Sequence, residues 1–123
     1  MEVADVTVGD PDALKLVRIM VGSGVPVVMG DPNAVEAFYR RHEAKLLLHK
    51  ALILVGEVFP NLLQIALEVA ADPEEDVQWL VVRATADAQP AELRAAYREY
   101  VKRWVMQTAP DKRSLVRLSY KGS

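Results

Sequence analysis

Few side chains in this 123-residue chain have both the type and the spacing that chemistry requires. His42 and His49 are its two histidines, seven positions apart and so on one face of a helix, with Glu43 beside the first. A zinc site needs a third ligand and closer spacing, and this pair does not make His-Glu-x-x-His. With no cysteine the chain has no disulfide, no thiolate metal site and no thiol nucleophile. Ser23, Ser114, Ser119 and Ser123 fall in glycine-rich, basic or terminal contexts without a nucleophile elbow. The densest carboxylates, Glu74-Glu75-Asp76, sit at a turn where water keeps their chemistry ordinary. Gly22-Ser23-Gly24 followed by Val25 to Met29 lacks the glycine spacing and the lysine of a phosphate loop. The expectation is a protein that is not an enzyme and has no catalytic residue, cofactor or metal.

What remains is contact chemistry. An apolar fraction of 51% with 26% charged residues is that of an ordinary globular protein, long enough to bury about two thirds of its unfolded surface. The acidic start, Met1-Glu2-Val3-Ala4-Asp5, leads into no apolar signal core, which suggests a cytoplasmic protein. The run Leu46 to Val55 is apolar almost all round but too short and too interrupted to span a membrane. The net charge of −2 is uneven. Residues 1–82 carry 6 basic against 13 acidic side chains, and residues 83–123 carry 9 against 4. Arg94, Arg98 and Lys102, four apart on one helix, together with Lys112, Arg113 and Arg117, form a candidate basic patch for an acidic partner or nucleic acid. The acidic pI of about 5.7 argues against a general nucleic-acid binder.

These groups are positioned by a β-hairpin over residues 62–86. Leu63, Ile65, Leu67 and Val69 alternate with Gln64, Ala66, Glu68 and Ala70, the period of a half-buried strand. In the second run Leu80, Val82 and Ala84 share one face and Trp79, Val81, Arg83 and Thr85 the other. A four-residue loop, Pro73 to Asp76, sets Val69 opposite Leu80 and Leu67 opposite Val82 and makes one face wholly apolar. A five-residue loop would carry Arg83 into that face. Asp72-Pro73 is good chemistry for starting a type I turn, which favours the shorter loop. Trp79, Val81 and Arg83, with Glu68 diagonal to Arg83, then lie on the outer face.

Ahead of the hairpin the periodicity predicts a short helix from Pro11 to about Val21, an extended or edge segment from Val25 to Met29 because Pro26 cannot donate to a ladder, and one long helix from Pro32 to about Phe59. Gly9-Asp10-Pro11 and Gly30-Asp31-Pro32 are helix-start grammar at a spacing of 21, rather than a true repeat. After the hairpin come a helix from about Pro90 to Thr108 and a last strand from Leu115 to Tyr120. The fold expected is a single α+β domain: residues 1–31 as an N-terminal extension, and 32–123 as a helix-hairpin-helix-strand core. Its sheet would be three-stranded and antiparallel, with the last strand beside the hairpin's first. Two long helices would lie on one face, with the extra short N-terminal helix outside them. Leu46 and Ile53 on the greasy helix, and Trp79, Val81 and Arg83 on the uncovered sheet face, are the candidate protein-interaction residues.

Val58-Phe59-Pro60, Ile65 to Val69 with Asp72-Pro73-Glu74, Leu80-Val81-Val82-Arg83, and an Ala/Leu/Arg/Tyr helix leading to a Trp and a final strand together resemble small uncharacterised bacterial α+β proteins. Some of these belong to toxin–antitoxin-like gene pairs. The resemblance spans about Glu36 to Tyr120 and carries over no functional residue. It implies a partner-binding rather than catalytic role; the uncovered apolar residues imply a non-catalytic interaction or regulatory module that binds a protein partner or a second copy of itself as a homodimer. Nucleic-acid binding through the basic helix and strand, and a small enzyme without a recognisable motif, are the alternatives.

Overall fold

The structure is a computed structural model that describes residues 25–123. The expected Pro11–Val21 helix and Gly22-Ser23-Gly24 lie outside the described residues. The hairpin forms as its alternation requires. Strand β2 (Leu62–Asp72) and strand β3 (Val77–Ala86) pair antiparallel, with Leu67 opposite Val82 and Val69 opposite Leu80. The four-residue loop is fixed by Asp72 Oδ1, which accepts from Glu74 N at 3.0 Å, and by Asp76 at φ 54. At the other end the register shifts between Leu62 and Gln64, so Leu63, expected to face inward, is 45% exposed.

The sheet is larger than three strands and is not all antiparallel. Among the described residues it has four strands, with β2 and β3 in the middle and one further strand on either edge. Strand β1 (Val27–Met29) lies parallel to β2, and strand β4 (Val116–Gly122) lies parallel to β3. Only the hairpin pair is antiparallel. The physical reason lies at Pro26. Its missing N–H is harmless at the start of an edge strand, and its carbonyl accepts from Ile65 N at 3.0 Å. Gly30 N then donates to Leu67 O at 3.1 Å, and β1 thereby occupies the edge of β2 that the last strand was expected to take. Helix α3 (Pro90–Gln107) supplies the crossover that parallel neighbours need, and it delivers β4 to the free edge of β3.

The long helix expected over Pro32–Phe59 is two helices, α1 (Pro32–Arg41) and α2 (Lys45–Val58). Asp31 caps α1, accepting from Asn33 N and Ala34 N. The break is a C-terminal cap without glycine. Glu43 takes φ 50, Glu43 N donates to Arg40 O at 3.4 Å, and Ala44 N donates to Tyr39 O at 2.8 Å, the paired bonds of a Schellman motif. Tyr39 and Ala44 are both buried there, so packing holds a conformation that no breaker residue announces. Helix α3 begins with a capping box between Gln89 and Glu92. Past its C-terminal end Arg113 donates to Val105 O and Thr108 O, while Trp104 Nε1 donates to Arg113 O.

The three helices among the described residues bury their apolar stripes on one face of the sheet. The core joins Phe38 of α1, Leu52 and Val55 of α2, and Leu93, Tyr100 and Trp104 of α3 to Ile65, Leu67, Leu80, Val82 and Val116. Because strand side chains alternate, Trp79, Val81 and Arg83 necessarily point away from it.

Candidate functional site

The outer face of the sheet is read directly from the register. One row runs Glu68, Val81, Arg117 across β2, β3 and β4. The next runs Val28, Ala66, Arg83, Ser119 across all four strands. Val81 is only 8% exposed, yet it stands apart from the helix-side core. Its cover is the ring of longer side chains about it. Arg83 Nε donates to Glu68 Oε1 at 2.7 Å, and Arg83 Nη2 donates to the same oxygen. The Arg117 guanidinium lies 4.1 Å from the centroid of the Trp79 ring, its Nε bonded to Ser114 O. The face is thus an apolar strip, Trp79 and Val81, flanked by an ion pair on one side and a cation over the indole on the other. Both partners of the ion pair are about half exposed, so it contributes under about 1 kcal/mol to stability. The cation over Trp79 adds about 0.5–1 kcal/mol. No described element covers this face.

The remaining sequence-derived candidates fall elsewhere. Leu46 (72% exposed) and Ile53 (37% exposed) belong to α2, whose buried side faces the sheet's other surface, so they are not part of the Trp79 patch. Nothing among the described residues covers Leu46. The six basic residues do not form one surface either. Arg94, Arg98 and Lys102 are exposed on α3. Arg113 is committed to capping α3, and Arg117 belongs to the outer sheet face. Placing β4 beside β2 hid that last contact. With β4 parallel to β3, the alternation Arg117, Ser119, Lys121 would have set Arg117 next to Trp79.

A second feature, missed by the sequence reading, is a shallow open groove of about 460 Å³ between the end of α2 and α3, lined by Glu57, Val58, Pro60, Glu92, Ala96, Glu99 and Arg103 among others. Its charges are already spoken for. Arg103 Nε donates to Glu99 Oε2 at 2.7 Å and Arg103 Nη1 to Glu57 Oε1 at 3.4 Å, while Glu92 accepts from Gln89 N. The bond from Arg103 holds the Glu99 carboxyl below its usual range. The groove therefore reads as a helix–helix junction. No group of three or more metal-ligating side chains occurs among the described residues. His42 packs its ring on Phe38 with centroids 4.5 Å apart. Tyr100 OH and Thr108 Oγ1 are buried without partners, and burial pushes the Tyr100 phenol well above its ordinary range, but neither lines the groove.

Fold and surface together define an α+β protein with a four-stranded mixed sheet, helices on one face and a charged, tryptophan-bearing face on the other. No family model, no curated protein and no solved structure matches the chain. No helix among the described residues is long and apolar enough to cross a membrane.

Proposed function

We propose that the chain is a non-catalytic protein-interaction module whose contact surface is the outer face of the sheet, and that its first partner is a second copy of itself. The observation that carries this reading is the row Glu68, Val81, Arg117. An acid and a base flank an apolar residue, so the face is complementary to itself. A two-fold axis running along the strands through Val81 brings each Glu68 over Arg117 of the other copy and sets Val81 on Val81 and Trp79 on Trp79, an isologous contact. Arg83 meets its own counterpart in that arrangement, with Glu68 of its own chain neutralising it.

The test is solution mass by light scattering through a dilution series. The wild-type chain forms a dimer that dissociates on dilution. Arg117→Glu, which places like charges opposite Glu68, is monomeric, and Arg117→Lys retains the dimer. A dimer unaffected by Arg117→Glu would move the interface off this face.

A further inference from the structure

The sheet has two edges, and they differ. β1 is three residues long and opens on a proline, whereas β4 offers seven residues. Leu115 O accepts from Leu80 N, and Ser123 N donates to Ala86 O. In a parallel ladder the groups of alternate residues point the same way. The backbone of odd-numbered residues along β4 is therefore turned toward β3. Val116, Leu118, Tyr120 and Gly122 turn their N–H and C=O groups outward, to an edge that no described strand pairs.

Helix α3 overhangs that edge. Leu93 stands over Gly122, 3.4 Å from where a β-carbon would lie, and the Tyr97 ring packs 5.0 Å from the Tyr120 ring. One flank of α3 meets α2 through Arg103 and Glu57. At 100° per residue, Arg94, Arg98, Val101 and Val105 fall on the opposite flank, beyond β4. Val101 and Val105 are 38% and 41% exposed, and Arg94 and Arg98 are exposed and have no ion-pair partner among the described residues. Below the edge, on the outer face, β4 presents Arg117 and Lys121.

We infer that the β4 edge is a docking site for an extended acidic segment of another protein, added as a fifth strand with acidic side chains on the outer face and apolar side chains under α3. Free main-chain donors and acceptors select a peptide backbone, which a nucleic acid cannot supply. Arg117 and Lys121 select acids on the outer face, and Arg94 and Arg98 add to the positive field along that edge. They also disfavour a second β4, because edge-to-edge pairing of two copies would bring Arg117 and Lys121 of each together. The site does not depend on the outer-face dimer.

The test is fluorescence anisotropy of the full chain with a labelled decapeptide of alternating glutamate and valine, with two versions N-methylated at either the glutamate or the valine amides. The unmodified peptide half-saturates at about 100 µM or below. Methylation of one alternate set weakens binding at least about tenfold while the other set changes it less than about threefold, the signature of strand addition. Arg98→Glu with Lys121→Glu, both exposed and outside the Trp79 cluster, weakens binding at least about tenfold while leaving the melting temperature unchanged. Equal effects of the two methylated peptides, tighter binding of a thymidine decanucleotide than of the peptide, or absence of peptide binding to a folded chain would each overturn the proposal.

Discussion

Strand β3 shows two ways of burying apolar side chains within one stretch of backbone. Leu80, Val82, Ala84 and Ala86 point into the helix layer and are at most 1% exposed, closed over by side chains that cannot leave without opening the core. Trp79 and Val81 point the other way and are shielded by charged side chains of neighbouring strands, with no layer above them among the described residues. Cover by a helix layer is made once, on folding. Cover by Arg117 and by the Glu68–Arg83 pair is thin, solvated and exchangeable, and a second molecule can replace it at little cost. That difference, rather than apolarity alone, is what the proposed contact surface on the outer face rests on.

The contrast can be broken first on the core side. Leu67→Ala, at a fully buried position under the helices, loses about 2–5 kcal/mol in denaturant unfolding through lost transfer energy and the cavity left behind. Next in size is Tyr100→Phe. The Tyr100 hydroxyl is buried without a partner, so its removal stabilises the fold by about 1 kcal/mol. The sign of its pH dependence follows from burial, which raises the phenol's pKa in the folded state and so disfavours its ionisation there. The stability due to its neutral form is present below the ordinary phenol range near about pH 10 and is lost as pH rises beyond it, because the unfolded chain ionises first. Alkaline melts should show a shallower decline for Tyr100→Phe than for wild type. On the outer face Arg83→Ala costs under about 1 kcal/mol, since the pair it breaks is half exposed. A loss as large as that of Leu67→Ala would erase the distinction between the two faces.

The hairpin was legible because two independent signals agreed. The Asp72-Pro73 turn and the alternation of Leu67 and Val69 against Leu80 and Val82 demanded the same register, and that register places Glu68 within reach of Arg83. The break between α1 and α2 was not legible, because Glu43 carries φ 50 where glycine is usual and only the burial of Tyr39 and Ala44 enforces it. The place of β4 was lost for a related reason. Pro26 marks Val25 to Met29 as an extended or edge segment without saying which strand it joins, and its carbonyl pairs β1 with β2 and leaves the last strand to β3. The candidate surface was accordingly read in half: Trp79, Val81 and Arg83 were visible, and Arg117 was assigned to a basic patch that the fold divides.

The most direct test combines mass and folding in Trp79→Ala. The wild-type chain should scatter at twice its 13.7 kDa mass at high concentration and fall toward the single-chain mass on dilution. Trp79→Ala should remain at the single-chain mass throughout while keeping a cooperative thermal transition. A wild-type chain monomeric at every concentration, or a Trp79→Ala chain that loses its cooperative transition, would contradict the account.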